Sequence, residues 1–295
     1  MKLRENRGWV ISANVVMCIL SFLALAPFVL LIISSFTDET AALTNGYSYL
    51  PKAWSLHAYE YILNQKAMLG RAYMMTIVVT AVGTSVGVVM TAMLGYMLSQ
   101  KGLPGRKFFN YFIVFTMLFN GGLVPTYIMY VRMLHIKNTI FGLIVPNMLM
   151  SSFMVMLVRN YFENSVPRDL YEACRIDGAT EFQTFFKVAL PLSTPILATV
   201  GLMMGIAYWN DWQNGLYYLS DSSKHLYTIQ NILNNINDNI AFLASNATSG
   251  VSLAELPTTT VRMAIAVVGI LPILILYPFF QKYFAKGITM GAVKG

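Results

Sequence analysis

A short polar segment, EACRIDGA at positions 172–179, interrupts a chain that is otherwise oil-like. Glu172, Arg175, Asp177 and Glu181 place four charges in ten consecutive positions, whereas only 11% of the whole chain is charged. No nucleophile–base pair accompanies these charges, so the chemistry that they offer is recognition through ion pairs and hydrogen bonds. The segment is therefore a candidate contact surface.

The residues around this segment predict two short helices. Pro167 is typical of a first helical turn, because its φ angle is already helical. A helix over 168–176 follows, and Gly178 ends it, because glycine readily adopts the left-handed conformation that closes a helix. The second helix, ATEFQTFFKVAL over 179–190, is expected to end at Pro191. The result is a short helix–turn–helix.

Each of the two helices carries an apolar face. The first face is small and consists of Leu170, Ala173 and Cys174. The second is bulkier and consists of Phe182, Phe185, Phe186 and Val188. One interpretation is an amphipathic loop held by lipid headgroups. The other is a protein-docking element, which the shortness, acidity and small apolar face of the first helix favour. From the residues alone both interpretations stay open.

The elements that position this loop are set by composition. The chain has 295 residues, of which 56% are hydrophobic, and a typical soluble domain carries about a quarter charged residues. Lipid is therefore the expected solvent, and we predict an all-α, polytopic membrane protein with six transmembrane helices. The stretches long enough to cross about 30 Å of hydrocarbon are 11–36, 72–99, 108–131, 139–160, 192–213 and 262–284.

The distribution of basic residues predicts the orientation. With a cytoplasmic N-terminus, 13 Lys and Arg residues lie inside and 7 lie outside, and the positive-inside rule favours that arrangement with both termini cytoplasmic. The net charge of +7 then reflects membrane orientation. It requires no nucleic-acid partner.

Several kinds of chemistry are missing. The chain has no P-loop motif, and its three histidines and two cysteines predict neither a metal site nor a disulfide framework. No Asp or Glu lies in 72–99 or 108–158, so a proton relay inside the membrane is not expected. Any transport must therefore be driven by something other than these groups.

Small residues and helix breakers occur within the predicted spans. GTSVG at 83–87 is a GxxxG motif that permits close approach of another helix. In FNGGLVPTY at 119–127, Gly121, Gly122 and Pro125 interrupt the third span. Such a break marks either a transport pathway or a simple kink at a helix end, and the residues leave both open.

Two longer outer segments show helical periodicity. LPKAWSLHAYEYIL has apolar residues at Leu56, Tyr59, Ile62 and Leu63. LYTIQNILNNI has them at Leu226, Ile229, Ile232, Leu233 and Ile236. Both patterns predict short helices, and we expect them to lie against the outer face of the membrane. An Asn-Ala-Thr sequon begins at Asn246.

EACRIDGA followed by VALP resembles the EAA loop of ABC importer permeases, whose pattern is EAA, a later glycine and a hydrophobic-x-Leu-Pro. The matching residues are Glu172, Ala173, Asp177, Gly178, Ala179, Val188, Leu190 and Pro191, with Cys174 in place of the second alanine. LPKAWSLHAYEYIL, GGLVPTY, AYWNDW and QKYFAKGITMGAVKG resemble carbohydrate-uptake permeases of the maltose-permease type. Within these, the oligosaccharide and aldouronate subgroup is the most similar.

The resemblance implies a type I ABC importer permease fold in a bacterial cytoplasmic membrane. The implied partners are a second permease subunit, an ATPase homodimer, an extracytoplasmic solute-binding protein, the sugar and membrane lipid. The chain itself would bind no cofactor, since ATP and Mg²⁺ are used by the ATPase. We expect an N-terminal part over 1–71, a permease core over 72–285 with the coupling loop at 160–190, and a C-terminal tail over 286–295.

The resemblance also assigns roles to residues. Those that would dock the ATPase are Glu172, Ala173, Asp177, Gly178 and Ala179. AYWNDW lies at the outer end of the fifth span, where Tyr208 is suited to stacking on a sugar ring, and Asn210 and Asp211 to hydrogen bonding with sugar or with the binding protein. Gly121 and Gly122 are candidates for the pathway. An aromatic belt at the membrane interface is the alternative for AYWNDW.

Two alternative functions remain at this stage. One is an ABC permease for a non-sugar solute, which the GITMGAVKG ending disfavours. The other is a membrane scaffold without transport activity, which should not copurify with an ATPase pair.

Overall fold

The computed structural model describes residues 7–146, 148–245 and 259–292, and this part of the chain is helical, with one isolated antiparallel bridge between Thr37 and Trp54. The first helices are α1 (Arg7–Ser35), α2 (Glu39–Asn45), α3 (His57–Asn64), α4 (Lys66–Ser99), α5 (Arg106–Leu118), α6 (Leu123–Ile128) and α7 (Phe141–Ile144). They are followed by α8 (Ser152–Asn164), α9 (Arg168–Ile176), α10 (Glu181–Thr184), α11 (Leu190–Leu192), α12 (Thr194–Trp209), α13 (Gln213–Tyr218), α14 (Ile229–Ser245) and α15 (Thr259–Ala292). Two π-helical turns, Met129–Met133 and Phe185–Ala189, and a 3₁₀ segment, Asp221–Leu226, complete the order.

Two of the described helices are long and apolar enough to cross a membrane unbroken. They are Gly8–Ser35 within α1, and α4. Two bent pairs qualify if each counts as one span: α5 with Leu123–Met133, bent by 113°, and Glu181–Leu192 with α12, bent by 80°. The described residues thus hold two to four candidate spans, and the predicted number of six stays a prediction.

The third and fourth predicted spans are not continuous helices. In the third, the chain leaves helical structure between α5 and α6, which confirms the predicted interruption at Gly121 and Gly122. Pro125, predicted to interrupt the span with them, lies within the first turn of α6. The fourth predicted span, 139–160, is interrupted as well. Helix α7 ends at Ile144 and α8 begins only at Ser152. Pro146 lies between them and has no N–H to continue the helical hydrogen bonds.

The chain divides into two compact units, the first formed by residues 1–69 and 233–271. Within this unit the carboxylate of Glu39 accepts the backbone N–H groups of Thr259 and Thr260, both at 3.0 Å. These two groups begin α15 and have no partner inside the helix. Glu39 thereby caps a helix more than two hundred residues away in sequence.

Both predicted outer helices are present. In α3 it is Ala58 and Tyr59 that turn inward: Ala58 is buried, and the Tyr59 ring stacks on Phe36 at 4.7 Å. Leu56 and Leu63 are exposed, so only part of the predicted apolar stripe packs within the chain. In α14 the stripe is buried at Ile229, Ile232 and Ile236. The sequon at Asn246 lies outside the described residues.

The second unit, residues 70–232 and 272–295, has its core where α4, α8 and α12 meet. Two glycines of the GxxxG motif permit that packing. A Cβ atom at Gly83 would overlap the ring of Tyr208, and one at Gly87 would lie 2.6 Å from Cε of Met204 and 2.8 Å from the Leu149 carbonyl oxygen. The predicted close approach of another helix is confirmed, and that helix, α12, belongs to the same chain.

Candidate docking site and transport pathway

Helix α9 has the predicted bounds, Arg168–Ile176, and is anchored by one aromatic side chain. Tyr171 is 6% exposed and meets the ring of Tyr96 edge to face at 5.8 Å. Burial raises the pKa of the Tyr171 hydroxyl to about 12, so the side chain remains neutral at physiological pH. The anchor is therefore aromatic packing without charge.

The opposite face of α9 points away from the chain. Asp169, Glu172, Ala173 and Ile176 recur at the i, i+3, i+4, i+7 spacing of one helix face, and all four are exposed. Ile176 is 87% exposed, and in the described part of the chain no cation forms an ion pair with Glu172. This face therefore offers one large apolar side chain and two carboxylates that have no ion-pair partner among the described residues.

This outward face differs from the apolar face predicted for the first helix. Leu170 and Ala173 are exposed, as a docking face requires, but Cys174 is only half-exposed. The reason is that Tyr171 has the largest apolar surface on the helix. Its burial fixes the rotation of α9, so Cys174, three residues later, turns toward the chain.

The end of α9 forms the predicted glycine stop. The N–H of Gly178 donates to the carbonyl of Arg175 at 3.1 Å, and the N–H of Ala179 donates to the carbonyl of Cys174 at 2.9 Å. These two bonds form a Schellman motif, and Gly178 has a φ of +75°. Asp177 and Gly178 are exposed and Ala179 is half-buried, so the turn also lies at the surface of the chain.

The second helix of the loop departs from the prediction at both ends. It begins at Glu181 with a capping box between Thr180 and Gln183. The Thr-x-x-Gln pattern is a known start signal, and sequence reasoning missed it. The helix also does not end at Pro191, as predicted, but continues to Leu192.

A change of hydrogen-bonding pattern lets the helix pass through Pro191. The π turn over Phe185–Ala189 ends two residues before Pro191, and the N–H of Leu190, between them, donates to the carbonyl of Phe185. The missing N–H of Pro191 therefore falls where the helix is already changing from π to α pairing. The bend follows at Ser193, whose hydroxyl donates to the Ala189 carbonyl at 2.5 Å.

The aromatic face of the second helix is divided. Phe185 is buried in the same core as Tyr171. Phe182 and Phe186 remain 65% and 52% exposed. The coupling loop thus presents charged and apolar groups outward on both of its helices.

An arginine cluster at the start of the coupling loop was not predicted. Glu163 at the end of α8 pairs with Arg106 at 2.8 Å, with Arg159 at 3.0 Å and with Arg168 at 4.0 Å. Burial of Glu163 opposes its ionisation, but the arginines outweigh this and hold the pKa of the carboxyl below its usual value. Arg106 also donates to the Leu98 carbonyl at 2.9 Å. The cluster therefore joins the ends of α4 and α8 to the starts of α5 and α9.

The break between α5 and α6 is exposed on both glycines. Gly121 and Gly122 are exposed, and the N–H of Gly122 donates to the side-chain oxygen of Asn120 at 2.8 Å. After the break, the ring of Tyr127 stacks on that of Tyr218 at 5.8 Å. The break is a turn fixed by the hydrogen bond between Gly122 and Asn120, and its backbone is accessible from outside the chain.

The AYWNDW residues have mainly structural partners in this conformation. Tyr208, predicted to stack on sugar, is 2% exposed and donates its hydroxyl to the Ile144 carbonyl at 2.8 Å, so its ring is not available to a ligand. Asp211 accepts the backbone N–H groups of Gln213 at 3.1 Å and Asn214 at 3.3 Å, which starts α13. Asn210 ends α12 and is exposed.

A cleft of about 230 Å³ lies between α4 and α12, beside these residues. Hydroxyl-bearing, small and apolar side chains line it: Thr80, Ala81, Thr84, Ser85, Gly201, Leu202, Gly205, Ile206, Trp209 and Ile273. Trp209 is only 6% exposed but lines this cleft, whereas its neighbour Tyr208 does not.

Residues 87–290 match the family described as the inner membrane component of binding-protein-dependent transport systems. The chain belongs to this family. It is an all-α, membrane-embedded permease subunit of an ABC transporter, and it is not itself an enzyme. The family match includes the coupling loop and AYWNDW.

Similar proteins cover nearly the whole permease. It is 34% identical over 275 residues to YtcP of Bacillus subtilis (strain 168), a polygalacturonan/rhamnogalacturonan transport system permease protein, covering 93% of this chain and 94% of the relative. It is 35% identical over 273 residues to the protein LplC of the same organism, covering 92% and 90%. It is 28% identical over 285 residues to AraQ of Halalkalibacterium halodurans, an arabinooligosaccharides transport system permease protein, covering 94% and 93%.

Solved structures agree with this assignment. A chain in the crystal structure of a bacterial ABC transporter involved in the import of the acidic polysaccharide alginate has a TM-score of 0.77 and 31% identity, covering 96% of this permease and 99% of that chain. A second chain comes from the alginate ABC transporter in complex with alginate pentasaccharide-bound periplasmic protein. It has a TM-score of 0.57 and 15% identity, covering 93% of each, and it supports the fold alone.

Proposed function

We propose that the permease moves an oligosaccharide from an extracytoplasmic binding protein into the cytoplasm by alternating access. It works beside a second permease subunit in the cytoplasmic membrane of a bacterium, with both termini in the cytoplasm. The energy comes from an ATPase homodimer, which uses ATP and Mg²⁺. The chain itself has no P-loop motif.

The observation that carries this proposal is the outward face of α9. It offers two carboxylates, the small side chain of Ala173 and the exposed Ile176 in one helical row. A row of this kind fits a groove that contains a basic residue and an apolar floor. Gly178 ends the helix without a side chain, so the docked helix is short and its end is free of bulk.

The substrate class is supported by the relatives. YtcP and AraQ are named for polygalacturonan/rhamnogalacturonan and arabinooligosaccharides, and the transporter whose chain matches with a TM-score of 0.77 is named for alginate. The cleft beside Trp209 and the exposed Asn210 are the parts of this chain that we assign to the sugar pathway. Gly121 and Gly122 remain a second candidate.

The docking proposal is tested by reversing one charge on α9. In the assembled transporter, Glu172→Lys is expected to lower binding-protein-stimulated ATP hydrolysis and sugar uptake by roughly thirtyfold or more. The reason is that lysine would repel the basic residue of the ATPase groove with which we propose that Glu172 pairs. Glu60→Lys is the matched control, since Glu60 is an exposed carboxylate on α3 and should leave uptake unchanged. Ala173→Trp should act like Glu172→Lys through bulk instead of charge.

The outcome against the proposal is normal uptake with both α9 positions substituted. Copurification separates the remaining alternative, because a membrane scaffold without transport would not retain an ATPase pair with the wild-type chain.

A further inference from the structure

Tyr96 is the point at which the coupling loop meets the end of α4. Its ring contacts Phe162 of α8 at 5.6 Å, Tyr171 of α9 at 5.8 Å and Phe185 of the π turn at 5.2 Å. Tyr96 itself is 6% exposed. Three separate helical segments therefore pack on one side chain, three residues before α4 ends at Ser99.

A chain of polar contacts runs from the same place. The Tyr96 hydroxyl donates to Oε2 of Glu181 at 3.0 Å. Arg175 donates to Oε1 of Glu181 from Nη2 at 3.1 Å and from Nε at 3.3 Å. Nη2 of Arg175 also donates to Oε1 of Gln100 at 3.2 Å. We name Tyr96, Gln100, Arg175 and Glu181 the strap.

We propose that the strap makes the coupling loop move together with α4, so that displacement of α9 by the ATPase becomes displacement of the helices that line the pathway. The inference rests on the docking function proposed above. Its four residues are positioning residues. Tyr96 and Gln100 lie at the end of α4, and Arg175 and Glu181 are the loop residues that hydrogen-bond to them.

The arrangement of the strap favours this role over a purely stabilising one. Arg175 and Glu181 are 52% and 58% exposed, and exposed ion pairs add little to folding stability. The pair nevertheless connects three segments. Arg175 of α9 bonds to Glu181, the first residue of α10, and both side chains also bond to residues at the end of α4. Charge-assisted hydrogen bonds in two directions fix orientation as well as distance.

Tyr171 provides a matched comparison within the same cluster. Its ring packs on Tyr96, but its buried hydroxyl has no hydrogen-bond partner among the described residues. Tyr171→Phe therefore removes no bond, whereas Tyr96→Phe removes the bond to Glu181 and keeps the ring. The two variants separate the strap from aromatic packing.

The experiment uses the complete transporter, with both permeases, the ATPase and the binding protein, in proteoliposomes. Sugar uptake and stimulated ATP hydrolysis are measured together, and their ratio is the coupling. We expect Tyr96→Phe and Glu181→Gln to lower the coupling about tenfold, the effect of losing one hydrogen bond to a charged group. Copurification of the ATPase should be unchanged, and Tyr171→Phe should couple like the wild type.

A charge reversal gives the rescue. Arg175→Glu alone should uncouple, and Arg175→Glu combined with Glu181→Arg should restore most of the coupling, because the ion pair re-forms and the Gln100 amide can donate instead of accept. The strap proposal is overturned by unchanged coupling in Tyr96→Phe and Glu181→Gln, by equal loss in Tyr171→Phe, or by loss of the ATPase from these variants. Failure of the wild-type chain to copurify with the ATPase would instead contradict the proposed function.

Discussion

The coupling loop and the AYWNDW segment are two polar interruptions of an apolar chain, and they use their polar groups in opposite ways. On α9, Asp169 and Glu172 are exposed on the outward face. At AYWNDW, Asp211 caps α13 and Tyr208 is bonded to the Ile144 carbonyl. Polar and aromatic residues in a membrane protein are therefore not all contact residues. At AYWNDW, polar groups whose hydrogen bonds are satisfied inside the chain hold the helices together, whereas the carboxylates exposed on α9 are the ones that we propose a partner covers.

The largest expected effect concerns Tyr208, the residue that moved from predicted ligand contact to core. Tyr208→Ala should lower the free energy of unfolding by about 3–5 kcal/mol, as truncation of a buried aromatic ring does. The melting temperature in detergent measures it. A sugar-stacking role would predict lost uptake with an unchanged melting temperature.

A double variant sharpens this result. Gly83→Ala alone should destabilise by about 1–3 kcal/mol, because the added methyl overlaps the Tyr208 ring. In the Tyr208→Ala background the same change should have little further effect, since the ring is gone. Additive losses would show that the two positions are not in contact. Gly70→Ala, on the same helix with nothing within 4 Å of the added atom, is the control and should be neutral or stabilising.

A somewhat smaller effect is expected at the C-terminal end of α9. Gly178→Ala should destabilise by about 1–2 kcal/mol, because an L-residue is strained at a φ of +75° even where its methyl meets no atom. The melting temperature and sugar uptake of this variant are measured together. Uptake should fall by more than the loss of stability explains, because α9 no longer ends at a defined residue. Gly178→Asn, which tolerates this conformation better, should recover part of both.

The bounds of α9 and its stop at Gly178 were predictable because they depend on neighbouring residues. Pro presets a helical φ, and glycine accepts a positive one. The capping box of Thr180 and Gln183 was equally local and could have been read. The direction of α9 was not predictable in this way, because it depends on Tyr96, which lies 75 residues before Tyr171 in the sequence.

The fate of Tyr208 was also beyond local reading. An aromatic residue next to Trp and Asn fits a sugar site and a core position equally well. Tyr208 is a core residue because Gly83 on α4 leaves space for its ring and because the Ile144 carbonyl, at the end of α7, accepts its hydroxyl. Pro191 shows the same limit, since a π turn that precedes it cannot be recognised from residue types alone.

The cap at Asp211 is expected to have a smaller effect. Asp211→Ala should lower stability by about 1 kcal/mol, because the N–H groups of Gln213 and Asn214 lose their acceptor. Asp211→Asn keeps an acceptor oxygen and should retain most of the stability. If Asp211→Asn keeps the wild-type melting temperature but reduces uptake, the carboxylate also contacts sugar or binding protein, and the contrast between the two regions weakens.

The smallest expected effect is a pH dependence at the arginine cluster. The folded-state pKa of Glu163 is below its unfolded value, so its ion pairs contribute fully above the unfolded value of about 4.3 and are lost as the pH falls through the folded one. The melting temperature of the wild type should therefore decline more steeply below about pH 4.3 than that of Glu163→Gln, which cannot ionise. At neutral pH the variant should be the less stable of the two, because Arg106 and Arg159 keep their charges without a counterion. Parallel curves over the whole acid range would mean that solvent screens the cluster, and that its ion pairs add little to what holds the loop against α4.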